Sequence, residues 1–96
     1  MIPKYRSPTK PGVLIRDLLQ ECNITQVQLA KKLGVHWNMI SSIMRGQRRL
    51  RADLAVRLAK VFQTTPEFWM NLQTAVDIWN ATQQVDLSRI KPIKKP

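Results

Sequence analysis

The chain has 96 residues, which is enough for one hydrophobic core and too short for two domains of ordinary size. Sixteen Lys and Arg residues stand against six Asp and Glu, so the formal net charge at pH 7 is +10. Such an excess of positive charge favours a polyanionic partner, most often a nucleic acid.

Membrane and secretory signals are absent from the sequence. Its apolar stretches are far shorter than the ~20 residues that a membrane-spanning helix requires, and the N-terminus has no apolar region typical of a signal peptide. The single cysteine, Cys22, cannot form an internal disulfide. We therefore expect a cytoplasmic protein that does not bind membranes, with Cys22 as a small core residue.

The first predicted element is an extended N-terminal arm over residues 1–10, where prolines and basic residues occur without periodicity. A helix is expected to begin near Pro11, since proline lacks the N–H that has no partner at a first helical position. Apolar residues at helical spacing predict its buried stripe: Leu14, Ile15, Leu18, Leu19 and Cys22. The acidic residues Asp17 and Glu21 lie off this stripe and should face solvent or a partner.

Two short helices follow. Thr25 and Gln28 have the spacing of a capping box, so a second helix should begin after Thr25, and Gly34 should end it. Its inner side is predicted from Val27, Leu29, Ala30 and Leu33. A third helix is predicted from about Trp37 to Arg45, ending before Gly46, and residues 47–51 form a basic loop.

Two further helices complete an all-α prediction. The fourth spans residues 52–62, with Leu54, Ala55, Leu58, Ala59 and Phe62 inward. Either Thr64 or Thr65 caps the fifth, which has Pro66 in its first turn and extends to about Gln83. We predict that Phe68, Leu72, Val76 and Trp79 form its inner side, with Trp69 flanking them. Residues 11–83 thus form one domain, followed by a basic flexible tail over residues 84–96.

The second and third helices match a helix-turn-helix. Two helices that cross steeply at a tight turn need small residues where their backbones approach, a glycine in the turn and apolar residues towards the core. These places are occupied by Ala30, Gly34, Val35, Ile40 and Ile43. No acidic residue occurs between Glu21 and Asp53, whereas six basic ones do: Lys31, Lys32, Arg45, Arg48, Arg49 and Arg51. This coincidence of charge and motif predicts binding to DNA.

The segment LAKKLGVHWNMISSIMRGQRRL resembles the phage-repressor-like (XRE-type) helix-turn-helix proteins. The segments KPGVLIRDLL, RLRADLAVRLAKVFQTTPEFWMNLQ and AVDIWNA resemble the HigA-type antitoxins within that family, so the resemblance covers residues 10–80. It implies a five-helix, lambda-repressor-like fold. Val13 stands where the family usually has Glu, and His36 and Arg51 stand where it usually has a Ser or Thr cap. Because these residues are not usual N-caps, we expect the helix caps at His36 and Arg51 to be weaker than a Ser or Thr cap.

The DNA contacts follow from how such folds dock. The exposed residues at the start of the third helix face base edges, which predicts base contacts from Trp37, Asn38, Ser41 and Ser42. The Asn38 amide can pair bidentately with adenine; for Trp37, partial burial against the turn is the alternative. Phosphate contacts are predicted for Arg45, Arg48, Arg49 and Arg51, and the family resemblance implies another for Gln26.

The resemblance implies an antitoxin that represses its own operon and neutralises a RelE-like (HigB-type) ribonuclease. A stand-alone repressor and a protein-interaction module with a basic surface are the alternatives. Because symmetric half-sites require two copies, we predict a homodimer on a palindromic operator, with Trp69, Met70, Ile78 and Trp79 at its interface. The acidic pair Asp17 and Glu21 is the candidate toxin surface; the alternative is that the pair only solvates the first helix and forms ion pairs with Arg16 or Lys10. We expect no cofactor, metal or catalytic site, because the only histidine has no Cys or acidic cluster near it in the sequence.

Overall fold

The computed structural model describes residues 7–94, which form five helices and no strand. The helices are α1 (Pro11–Cys22), α2 (Gln26–Leu33), α3 (Trp37–Met44), α4 (Ala52–Phe62) and α5 (Pro66–Gln84). The all-α, five-helix prediction is confirmed. Residues 1–6 of the predicted arm lie outside the described residues, whereas residues 7–10 and 85–94 form no helix or strand. Within the described part, no helix is long and apolar enough to cross a membrane.

The start and end of α2 follow from local chemistry. The Thr25 hydroxyl accepts a hydrogen bond from the Gln28 backbone N–H at 3.1 Å, and the Gln28 side chain accepts one from the Thr25 N–H at 2.8 Å. This reciprocal pair is the predicted capping box. Gly34 ends the helix at φ 72°, a left-handed conformation that costs glycine nothing.

The two threonines before α5 have separate roles. Thr65 is the N-cap, because its hydroxyl accepts from the Phe68 backbone N–H at 3.1 Å. The Thr64 hydroxyl accepts from the indole N–H of Trp69 at 2.8 Å. Thr64 therefore satisfies the one polar group of a tryptophan whose side chain is otherwise in the core.

The core lies where all five helices meet, and it differs from the sequence prediction at three places. Cys22 and Val27, both predicted to be buried, are exposed. In α5 the buried positions are Trp69, Gln73 and Val76, so Val76 is buried as predicted, whereas Phe68 is exposed and Leu72 and Trp79 are half-buried. Helix α5 packs against α4 with the face that carries Trp69, whose ring lies against Phe62 of α4. Adjacent residues of a helix point about 100° apart, so Phe68 is directed away from this contact. The buried hydrophobic cluster consists of Ile15, Leu19, Leu29, Ala30, Leu33, Ile40, Ile43, Leu50, Leu54, Ala55, Leu58, Ala59 and Trp69.

A close approach of α1 to α3 holds the third helix in place. Gly12 is buried at the start of α1, and a Cβ atom there would overlap the Ile43 carbonyl oxygen and lie 2.8 Å from the Met44 Cα. No side chain fits this space without separating the two helices. Gly12 therefore fixes how deeply the C-terminal end of α3 sits against the domain, and so which of its residues remain outside.

Candidate nucleic-acid interface

Helix α3 has one face in the core and the other in solvent. Ile40 and Ile43 are buried, whereas Trp37 and Asn38 at its N-terminal end are exposed. Trp37 is 48% exposed, so about half of its surface is accessible to a partner and the rest is covered by the protein. The predicted base-contacting residues Ser41 and Ser42 lie one turn further on and are half-buried. The most accessible part of this face is thus its first turn.

His36 caps α3, although the sequence predicted a weakened cap at this position. Its Nδ1 atom accepts a hydrogen bond from the Asn38 backbone N–H at 3.1 Å. The imidazole ring also stacks on Trp37, with the ring centroids 5.8 Å apart and the planes at 29°. An imidazole nitrogen therefore replaces the usual hydroxyl, and the stacking orders the side chains at the tip of the helix.

The basic loop between α3 and α4 presents most of the predicted phosphate contacts. Arg45, Arg48 and Arg51 are exposed. Arg51 precedes α4 without a side-chain hydrogen bond to that helix, as expected from its chemistry. Its guanidinium is consequently not used in capping. Helix α3 with its cap residue and the loop that follows it form one continuous segment, residues 36–51, that we call the basic edge.

The basic edge is attached to α5 by a buried glutamine that sequence reasoning missed. The Gln73 side chain accepts a hydrogen bond from the Leu50 backbone N–H at 2.7 Å and donates one to Asp77 at 2.8 Å. Asp77 in turn forms a salt bridge with Arg49. Gln73 is the one buried polar residue in the described part of the chain, at 5% exposure. Its position in a helical stripe of otherwise apolar residues was the only available signal.

This salt bridge bears on Arg49 as a phosphate contact, which stays a prediction. Its guanidinium already has a carboxylate partner within the protein, unlike those of Arg45, Arg48 and Arg51. A DNA phosphate would have to compete with Asp77 for it. Burial alone would raise the pKa of the Asp77 carboxyl, but hydrogen bonds from Arg49 and Gln73, together with the Arg49 charge, outweigh burial and lower that pKa.

A second residue absent from the sequence prediction supports the turn between α2 and α3. The Arg57 guanidinium, on α4, donates a hydrogen bond to the Leu33 carbonyl oxygen at 2.7 Å. This carbonyl is at the C-terminal end of α2, where it has no partner within the helix. Arg57 thus ties α4 to the helix-turn-helix and, although basic, has a structural contact outside the basic edge.

The remaining predicted site residues occupy different surfaces. Gln26 is half-buried at the first position of α2. The predicted dimer residues Met70 and Trp79 are half-buried, and Ile78 is 52% exposed. Trp69 is fully buried, which corrects its assignment to the dimer interface: its side chain belongs to the core of the monomer.

The candidate toxin surface lies on α1. Asp17 and Glu21 are both exposed, and neither forms a salt bridge with Arg16 or Lys10. Within residues 7–94 the one ion pair is that of Arg49 with Asp77. The acidic pair of α1 is therefore directed to solvent, apart from the basic edge in the sequence and on a different helix.

An exposed third helix placed on two others by a glycine turn, next to a basic loop, defines a helix-turn-helix DNA-binding domain. A family model described as Helix-turn-helix matches residues 15–69. The chain belongs to this family, in its XRE-type branch of DNA-binding regulators and antitoxins.

The chain is similar in sequence or structure to three known proteins. The uncharacterized HTH-type transcriptional regulator YbaQ of Escherichia coli K12 is 42% identical over 92% of this chain and 82% of its own length. Antitoxin HigA-1 of Vibrio cholerae is 36% identical over 92% of this chain and 86% of its length. A solved structure of Pseudomonas aeruginosa antitoxin HigA with the higBA promoter has a TM-score of 0.82 and 35% identity, covering 91% of this chain and 99% of that one. These findings confirm the predicted resemblance to HigA-type antitoxins.

Proposed function

We propose that this protein is an antitoxin that binds the operator of its own operon and neutralises a RelE-like, mRNA-cleaving toxin. The observation that carries the DNA-binding part is the exposed first turn of α3 beside the arginines of the basic edge. The toxin part is supported by 36% identity to the V. cholerae antitoxin over nearly the whole chain.

In this proposal α3 lies in the major groove and reads the operator. The Asn38 amide has one donor and one acceptor, as adenine has in that groove, so Asn38 contributes most to base discrimination. Ser41 and Ser42, half-buried one turn later, accept or donate with several bases and discriminate less. Trp37 packs against a thymine methyl or the wall of the groove.

Phosphate contacts set the position of the domain on the duplex. We assign them to Arg45, Arg48 and Arg51 of the basic edge and to Gln26, whose place at the first turn of α2 adds the backbone N–H groups and positive end of that helix. Arg49 contributes less, because Asp77 holds it.

The operator is palindromic in this proposal, and the protein binds it as a homodimer. Two recognition helices must then lie about 34 Å apart, one helical turn of DNA. Our candidate interface is on α5 and includes Met70, Ile78 and Trp79, which are half-buried or exposed apolar side chains outside the basic edge.

The DNA-binding part is tested by comparing Asn38→Ala with Arg48→Ala on a duplex selected from a random library and on unselected duplex. Asn38→Ala should cost roughly 1–3 kcal/mol on the selected duplex only, because it removes a base contact. Arg48→Ala should weaken binding to both and reduce the log–log salt slope by about 0.9, because one phosphate is no longer neutralised. Equal losses of affinity for Asn38→Ala on the two duplexes would remove Asn38 from base readout.

The toxin part places Asp17 and Glu21 against the basic RNA-binding surface of the toxin. Reversing both charges (Asp17→Lys with Glu21→Lys) should abolish co-purification with the neighbouring gene product and leave operator affinity nearly unchanged. Exposed changes of this kind alter stability by only about 0.5 kcal/mol. Asp86→Lys, at an exposed acid beyond α5, is the matched control and should not affect the complex. Wild-type yield of toxin with the double reversal would exclude this surface.

A stand-alone transcriptional repressor is the second candidate. Its support is the 42% identity to the E. coli relative, which bears the name of a transcriptional regulator and not of an antitoxin. The neighbouring gene distinguishes the two. A small basic reading frame next to this one, whose product arrests growth unless this protein is present, supports the antitoxin; without such a gene the repressor is the better assignment.

A further inference from the structure

The imidazole of His36 is held in a defined orientation at the tip of α3, where the sequence predicted a weakened cap. We propose that His36 is an additional DNA contact, whose Nε2–H donates a hydrogen bond to a phosphate oxygen at the edge of the major groove. This inference rests on the proposed DNA-binding function and adds to it a contact that is neutral, unlike those of the arginines.

The capping hydrogen bond determines where the ring carries its proton. A backbone N–H can only donate, so the Nδ1 atom that accepts from Asn38 has a free lone pair. The one ring proton of the neutral imidazole is then on Nε2, at the opposite edge of the ring. Because Nδ1 is used in capping, the ring has a hydrogen-bond donor, Nε2–H, at the edge that faces away from the helix.

Two contacts keep this donor in place. The ring is hydrogen-bonded to the Asn38 backbone on one edge and stacked on the exposed Trp37 indole, 5.8 Å away between centroids. Because both contacts exist before DNA binds, little side-chain entropy remains to be lost on binding. His36 itself is exposed, so Nε2 is accessible to a partner.

The surroundings favour a phosphate over a base as the acceptor. His36 is the N-cap of α3 and lies outside the helical residues Trp37 and Asn38, whose side chains are assigned to the bases. The positive end of the helix dipole is at this point, and the nearest charged residues along the basic edge are all basic. An anionic oxygen is therefore the acceptor that matches the local field.

The capping and DNA-binding roles can be separated by substitution. His36→Ser keeps an acceptor for the Asn38 N–H but removes Nε2–H, whereas His36→Ala removes both. We measure the thermal midpoint of each variant and its affinity for a selected and an unselected duplex over a series of salt concentrations. Arg48→Ala is the control for a phosphate contact that carries charge.

The expected result has three parts. His36→Ser keeps the wild-type thermal midpoint and binds both duplexes roughly ten- to a hundredfold more weakly, as expected when one hydrogen bond to a charged group is lost. Its salt slope stays at the wild-type value, because a neutral donor releases no counterion, whereas Arg48→Ala lowers the slope. His36→Ala shows the same decrease in affinity and also melts at a lower temperature.

Each other outcome overturns the inference in a recognisable way. Wild-type affinity for His36→Ser would show that the residue is only a cap. A loss of affinity confined to the selected duplex would make His36 a base contact, and a reduced salt slope would make it a cationic one. If the wild-type protein binds neither duplex, the proposed function itself fails; if the wild type binds and His36→Ser binds equally well, only this inference fails.

Discussion

Helices α3 and α5 each carry a tryptophan near their N-terminal end, and the two residues have opposite environments. Trp37 is the first residue of α3 and is about half exposed, in contact with the His36 ring. Trp69 lies in the first turn of α5, is completely buried, contacts Phe62 and Phe68 and donates its indole N–H to Thr64. A short helix with an exposed tip thus contrasts with a long helix whose first tryptophan belongs to the core.

The difference separates the residues that bind from those that stabilise. Because Trp37 at the tip of α3 is exposed, its side chain stabilises the fold less than a buried tryptophan would, but it remains available to a partner. Helix α5 supplies that burial, and through Gln73 it also holds the loop next to α3. The DNA-binding surface therefore depends on a helix that contributes none of its predicted DNA contacts.

The largest expected effect tests this separation directly. Trp69→Ala should lower the free energy of unfolding by about 3–5 kcal/mol, because it leaves a cavity in the core and an unpartnered Thr64 hydroxyl. Trp37→Ala should change it by about 0.5 kcal/mol, as for an exposed residue, while weakening DNA binding. Urea unfolding of both variants, followed by far-UV circular dichroism, measures the contrast. Similar losses of stability for the two would mean that the tip of α3 also supports the fold.

A smaller effect is expected at the link between the two helices. Gln73→Leu keeps the volume but leaves the Leu50 N–H without its acceptor, which should cost about 1–3 kcal/mol of folding free energy. The basic loop should also lose its fixed position. At a temperature where the variant remains folded, we expect weaker binding to every duplex. Unchanged hydrogen exchange at Leu50 would argue against Gln73 as the anchor.

The smallest expected effect is the pH dependence of the Asp77–Arg49 pair. Because the folded state lowers the pKa of Asp77 below its ordinary value of 3.8, the pair stabilises the fold above that value and is lost as the pH falls through the lower, folded pKa. The pair is well exposed, so solvent screening keeps its contribution small. The stability difference between wild type and Asp77→Asn should shrink from about pH 6 to about pH 3. A constant difference would mean that the pair does not stabilise the fold.

Much of the architecture was predictable because local chemistry determines it. The capping box of Thr25 with Gln28, the left-handed Gly34 and the first turn of α5 after Thr65 each involve residues within a few positions of one another. Interactions of this range do not depend on how the helices pack, so the spacing of residues in the sequence predicts them. The exposed tip of α3 followed from the same reasoning once Ile40 and Ile43 were assigned to the core.

Other features required the packed structure. Which of two adjacent aromatic residues, Phe68 or Trp69, is buried depends on the direction from which α4 meets α5. The links from Gln73 to Leu50 and from Asp77 to Arg49 join residues that are 23 and 28 positions apart. Because of this separation, no local sequence pattern predicts them. The sequence by itself thus determined the helices, their ends and the basic edge. Only the tertiary structure decided which arginine is already paired, because that pairing requires the loop with Arg49 to be brought to the distant helix α5.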